Sequence, residues 1–586
     1  MNLPKFLRET DQAAGSQTKE QLAQFIHSLA RKLPAEKRNQ FLAELKNQEK
    51  DKTHYAEEKA EWSDAYDDYK EKIINIEDGE WELDSSIQEC YDSGSYNDWY
   101  DEDETEYTFQ DPNGIVRILT DACQFIHHCV DSEHYQAAYE LAMMLITLEV
   151  AVTGEYSDYV SDTISLEELE EQGLCTLNLD RLIIDAAYAA YSIHTPSERP
   201  KAMYDLLGSY CGRNVTLEMV LQSGDELPDT DAFFRQWVMY LGEEGSDRAA
   251  ALLKEALELS NDPQLELEAA RKYHPQHPRL YMQYIENNTG IVPDENLLET
   301  AKEALSAISV QYIARSEPAL CFSQIALRLG KQQEAELGWL EAFRSDSGIV
   351  NYLRLRVECG DYSKVSAEVT KICNSLETRK TDGSFPSSTN LELRENLVAN
   401  ATVHYLSFLQ ERFTYVMEHV MNVKEALGWS YTFMKKGLAL YLLLLYKSAN
   451  LNGKGCLRMC KIAAEAANFK TADYEKGLLK KTEQSDEELF WQCFCSWKET
   501  VSLTDEDWHK YLHWVEQLVV KRVRGIMEAN RRNYYEECAA FVAALGEVRE
   551  SIGNPGAAQH VMTDYKKMFP RRSAFHRELR AYGMYR

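Results

Sequence analysis

Along most of this chain, apolar residues recur every three to four positions, and the runs close on a glycine followed by one polar turn. That pattern is the signature of amphipathic helices packed on one another. Residues His134-Tyr135-Gln136-Ala137-Ala138-Tyr139 open one such run with the shape x-Tyr-x-x-Ala. Gly245-Ser246-Asp247-Arg248-Ala249-Ala250, Gly330-Lys331-Gln332-Gln333-Glu334-Ala335 and Gly360-Asp361-Tyr362-Ser363-Lys364-Val365 repeat the idea. In each, a helix ends, a polar turn follows, and the next helix presents a small residue where it must approach its neighbour. Any antiparallel helix pair can use glycine this way, but four similar turns predict an all-α, tetratricopeptide-like (TPR-like) helical-repeat body with degenerate repeats. Only 27 Gly and 14 Pro in 586 residues argue against a sandwich or barrel with many tight turns.

The pattern divides the chain into expected regions. Residues 1–76 form an N-terminal helical unit, with Leu22, Phe25, Ile26 and Leu29 on one helix face and a second helix starting at Pro34. Residues 77–113 form an acidic aromatic segment: from Glu77 to Asp111 there are fourteen Asp/Glu and no Lys or Arg. Like charge at that density favours an extended or loop-like chain, which the interleaved Trp81, Tyr91, Tyr96, Trp99, Tyr100, Tyr107 and Phe109 would dock. The repeat body is 114–375, a polar linker 376–390, a helical connector 391–434 and a separate C-terminal helical domain 435–586. The last boundary is drawn by charge. Residues 435–586 hold 25 Lys/Arg against 19 Asp/Glu, a balance of +6, whereas 1–434 hold 38 against 77, a balance of −39.

A net charge of −33 predicts no direct binding to nucleic acid. The longest apolar run, Leu438–Tyr446, is too short to cross a bilayer, and the first residues carry no apolar leader, so no membrane residence is expected. Thirteen cysteines without a Cys-x-x-Cys pair read as free thiols in a reducing cytoplasm.

Signatures of catalysis are missing: no phosphate-binding glycine loop, no Gly-x-Ser-x-Gly, no His-Glu-x-x-His. Cys123 and His127 lie one turn apart and could ligate zinc, but Ile115, Ile118, Leu119 and Ile126 make that helix face a core face. Cys493 and Cys495 lack a Cys-x-His counterpart and sit among Trp491, Phe494, Trp497, Trp508 and Trp514, which read as core. The expectation is no enzyme, no cofactor and no metal. The basic residues Lys521, Arg522, Arg524, Arg531, Arg532, Lys566, Lys567, Arg571, Arg572, Arg577 and Arg580 are interspersed with glutamates and read as a solvated face or a surface for an acidic protein partner.

One segment stands apart: Asn422–Tyr446, NVKEALGWSYTFMKKGLALYLLLLY. Gly428 and Gly437 bracket Trp429 to Lys436, and each glycine in helical surroundings costs about 1 kcal/mol relative to alanine. The stretch should open more readily than its flanks. Of fifteen methionines, only Met434 precedes a lysine, Lys435. The same residues also read as an ordinary helix–turn–helix with Met434 packed and Lys435 and Lys436 in solvent.

An acidic, all-helical chain with a C-terminal region of this size behind Phe433-Met434-Lys435-Lys436 resembles the accessory substrate protein of type III-E CRISPR (Craspase) systems. The resemblance implies a non-enzymatic protein of antiviral defence. It would be cut once by the caspase-like (TPR-CHAT) protease of a target-RNA-activated, RNA-guided effector, releasing two fragments that act on different partners. Met434 would fill the protease's specificity pocket and Lys435 would follow the scissile bond. It further implies an extracytoplasmic-function sigma factor bound by the C-terminal part and a second accessory protein bound by the N-terminal part. A second resemblance competes. Ala426-Leu427-Gly428-Trp429-Ser430 and Arg572 to Arg580 are similar to helical-repeat regions of bacterial SWIM zinc finger proteins, although the zinc-ligand motif is incomplete here. That resemblance implies an unprocessed scaffold for protein–protein interaction.

Overall fold

The structure, a computed structural model, describes Ile26 and residues 59–89, 105–154, 162–171, 177–381, 391–423 and 425–585. Apart from Ile26, the helices expected over 20–47 lie outside the described residues, as do the aromatic run from Tyr91 to Tyr100 and residues 382–390 of the expected linker. Helix dominates what is described, and the fold is all-α with a helical-repeat body. The chain forms two compact units, one of residues 1–241 with 251–260, the other of 242–250 with 261–586.

In the first unit, the helix Ile115–Asp131 buries Ile115, Leu119, Phe125 and Ile126, as its periodicity predicts. It packs with Tyr135–Ile146 around Leu179–Ile193, whose Ala186, Ala187, Ala189 and Ala190 are all buried. Every residue from Asp185 to Tyr191 is buried, so this part of the helix is a core element. The departure from pure helix is a small sheet. Strands β1 (Leu83–Glu89), β2 (Thr105–Gln110), β3 (Glu149–Thr153) and β4 (Thr163–Ser165) align in the order β2-β1-β3-β4. β1 and β2 are antiparallel with Asp84 opposite Gln110, and β1 runs parallel to β3 with Leu83 opposite Val152. The acidic segment, expected as loop, therefore contributes two strands. Leu83 turns inward, and Val150 and Val152 of β3 supply the alternation that buries one face.

In the second unit, helices Pro263–Tyr273, Leu280–Asn288, Asp294–Ala307, Ser316–Arg328, Gln332–Ser345 and Ile349–Glu358 each pack on the next. The closest pair shows how the Gly-turn signal works. Gly330, at φ +70°, ends one helix. Ser323 Oγ donates to the carbonyl of Ala335 at 2.9 Å, across the pair. A Cβ on Gly338 would come within 2.2 Å of Ser323 Oγ, so only glycine permits this approach.

The remainder of that unit is built around the helix Met434–Leu445, of which all but the two lysines are buried. Helices Lys454–Ala466, Asp505–Glu528 and Tyr535–Glu550 enclose it. Lys498 Nζ donates to the carbonyls of Leu443 (3.3 Å) and Tyr446 (2.5 Å) and so caps its C-terminal end. One hydrophobic core extends from Tyr284 to Met584 without a break at residue 434. The change of charge there does not coincide with a change in packing. Charge is a property of surfaces, and the two sides share an interior.

Candidate functional site

The expected processing segment leads into the buried helix through irregular backbone. Val416–Val420 forms a π turn and Ala426–Tyr431 a 3-10 stretch. Thr432 Oγ1 accepts from the Met434 amide at 3.3 Å, and Met434 is the first residue of the next helix. The Met434–Lys435 bond therefore falls at the join between irregular chain and a core helix. Met434 itself is fully buried.

A cluster of charge holds this segment. Arg522, on the helix Asp505–Glu528, is fully buried and donates through Nε (3.0 Å) and Nη2 (2.7 Å) to Glu537 Oε1. Its Nη1 donates to the Ala426 carbonyl. Its guanidinium stands 5.7 Å from the ring of Trp429 and 5.1 Å from that of Tyr534, within cation–π range. Lys435 Nζ lies 3.2 Å from Glu537 Oε2, so Lys435, although still partly exposed to solvent, is ion-paired. Lys521 Nζ donates to the Val423 carbonyl at 3.0 Å. The strand of chain from 423 to 435 is thus tied to two C-terminal helices at Val423, Ala426, Trp429 and Lys435. Trp429 is fully buried, and its Nε1 finds no hydrogen-bond partner.

The two bracketing glycines differ. A Cβ on Gly428 would meet nothing within 4 Å, whereas one on Gly437 would come 2.3 Å from Met421 Sδ. Gly437 thus admits a buried methionine, and its sequence reading as a helix-weakening residue misses that packing role.

The other candidate residues fall into structural roles. His127 Nδ1 lies 3.2 Å from Asp185 Oδ2, beside Arg181 at 2.8 Å from the same carboxylate, so its ring serves an ion-pair cluster. The hydrogen bond that the His127 ring donates to Asp185 raises the His127 pKa against the opposing effect of burial. Cys493 is buried in the core, and desolvation pushes its thiol up to about 12. Cys460 is likewise pushed up to about 12. Among the described residues, no group of three or more His, Cys, Asp or Glu side chains is placed to hold a metal ion. Within the basic run, Arg522 is interior, contrary to its reading as part of a solvated face. The signal was present: Val515, Leu518, Val519, Arg522 and Ile526 share one helical face, so Arg522 occupies a core position.

The arrangement is a clamp on a peptide segment. No family model matches the chain, and no curated protein matches it. Among solved structures, one described as a circular tandem repeat protein with novel repeat topology and enhanced subunit contact surfaces is similar over 80% of this chain and 96% of that one, at 12% sequence identity and a TM-score of 0.13. No helix among the described residues is long and apolar enough to cross a membrane.

Proposed function

We propose that this chain is a non-enzymatic accessory protein of type III-E CRISPR antiviral defence, cut once between Met434 and Lys435 by the caspase-like protease of an RNA-activated effector. The observation that carries the reading is the position of that bond. It follows a stretch of π and 3-10 backbone and precedes the first turn of a helix. Helix ends open at far lower cost than helix interiors, because few backbone hydrogen bonds are lost. Hydrolysis adds one water across the amide, leaving a carboxylate on Met434 and an ammonium on Lys435. In this reading, the cut lets the two parts act on different partners in the cytoplasm. An extracytoplasmic-function sigma factor binds the C-terminal part and a second accessory protein the N-terminal part.

A second reading, an unprocessed helical-repeat scaffold related to SWIM zinc finger proteins, is favoured by the complete burial of Met434. One experiment separates the two. The protein is incubated with effector and matching target RNA and run on a denaturing gel. Bands at about 50 and 18 kDa, from the residue shares of 67.5 kDa, support processing. An intact band under conditions where the protease cuts a reporter leaves the scaffold reading.

A further inference from the structure

We infer that residues 435–586 carry an interaction surface whose occupant is the 261–434 portion of the same chain, and that this contact persists when the backbone between them is cut. The inference takes the position of the cut from the proposed function, but the interface exists whether or not that cut is made in the cell.

Three buried hydrogen bonds show how the two portions are joined within the second unit. Trp339 Nε1 donates to the Gly477 carbonyl at 3.0 Å. Arg354 Nε donates to the Tyr474 carbonyl at 2.8 Å, and Arg354 is only 1% exposed. Trp497 Nε1 donates to the Leu409 carbonyl at 2.9 Å. Each bond pairs a side chain on one portion with a backbone carbonyl on the other. None uses the peptide bond at 434. Separation would leave a guanidinium and two indole donors to be solvated along with the apolar surface around them. The helix Met434–Leu445 adds to this, since Leu438 to Leu445 are buried in a core drawn from both portions. Interfaces of this kind, largely apolar and crossed by buried hydrogen bonds, are those of obligate complexes.

A single cut therefore yields a nicked complex, not two free fragments. Release then requires a second event: a protein that binds one portion and displaces the other. Processing would license exchange of partners without itself causing it.

The test uses the full chain with a tobacco etch virus protease sequence inserted between Leu427, which is 44% exposed, and Gly428, where added atoms meet open space. After complete nicking, confirmed on a denaturing gel, the sample is run by size exclusion and native mass spectrometry. Co-elution of both pieces at the intact mass of 67.5 kDa plus the insert is expected. Elution as separate species overturns the inference. If the insertion lowers the melting temperature of the uncut chain, the same sequence placed in the exposed turn between Asn450 and Leu451 gives a second nick that the same three bonds still cross. Because these cuts are engineered, failure here is distinct from failure of the effector to process the natural chain.

Discussion

Glu537 and Lys435 form an ion pair at 3.2 Å, and the other oxygen of the same buried carboxylate is held by Arg522. One acidic side chain thus anchors both the first turn of the core helix and the arginine that grips Ala426 and Trp429. Removing one member of a buried pair leaves an uncompensated charge. Glu537→Ala should therefore destabilise the protein by about 3–5 kcal/mol. Replacing both members with apolar residues, as in Arg522→Met with Glu537→Leu, should recover most of that loss, since Lys435 can turn toward water. Urea melts of the three proteins check the ordering. A double variant no more stable than Glu537→Ala would show that the pair is not the source of the effect.

The two glycines beside the segment should respond oppositely to alanine. Gly437→Ala gains about 1 kcal/mol of helix propensity but places a methyl against Met421 in a filled core, where overpacking costs about 1–3 kcal/mol. Net destabilisation is expected. Gly428→Ala adds a methyl to open space and should change stability by no more than about 0.5 kcal/mol. Denaturant midpoints for both variants measure the contrast.

His127 gives the first unit a pH dependence of known sign. Its pKa in the folded protein is raised above the ordinary 6.5, chiefly by the hydrogen bond to Asp185. Asp131 assists and Arg181 opposes, the three being the charged groups that act on it. A raised pKa means the folded state holds the proton more tightly. The stabilisation is complete below the unfolded value of 6.5 and is lost as pH rises through the higher folded value. His127→Gln should flatten the melting temperature across that interval and leave it unchanged above. A variant with the wild-type slope would remove His127 as the cause.

Thiol chemistry should report burial rather than metal binding. Desolvation raises the thiols of Cys456 and Cys538, and those of Cys460 and Cys493 reach about 12. At pH 8 these four are protonated in the folded state and should react with a disulfide reagent only as fast as the core opens. Chelators should leave the melting temperature in place. Stoichiometric zinc, lost on chelation together with stability, would overturn the structural assignment of these cysteines.

The sequence was most legible where one physical rule acted alone. The helix face of Ile115, Leu119 and Ile126 and the burial of Leu438–Tyr446 followed directly from apolar periodicity and run length. The β3 strand is equally encoded, since Glu149-Val150-Ala151-Val152-Thr153 alternates, but five residues between helical runs are too short for period alone to separate strand from helix. The extent of the second unit was not legible, because charge marks surface and Trp339, Arg354 and Trp497 meet partners 88 or more residues away. The clamp lay between these cases. Arg522 falls on an apolar helical face, which signals a buried cation, but its carboxylate partner fifteen residues on could be identified only from the fold.

The proposed cut makes the sharpest prediction. A protease of this type needs extended substrate with the methionine side chain in a pocket, yet Met434 is buried at a helix start. The proposed cleavage would therefore require local opening of about the segment 429–436, with Trp429 and Lys435 leaving Arg522 and Glu537. Met434→Ala should abolish cleavage by target-RNA-activated effector and cost about 2–5 kcal/mol of stability from the cavity it leaves. Lys435→Ala removes a tie that resists opening and alters only the residue after the bond, so cleavage should continue, weakened less than by Met434→Ala. Glu537→Gln keeps the specificity residues and loosens the clamp, so its cleavage should be faster than wild type. These three rates, read from one gel series, separate recognition from opening. Cleavage of Met434→Ala at the wild-type rate removes Met434 as the determinant. A Glu537→Gln rate equal to wild type, with Met434→Ala uncut, keeps the site but removes the clamp as the barrier.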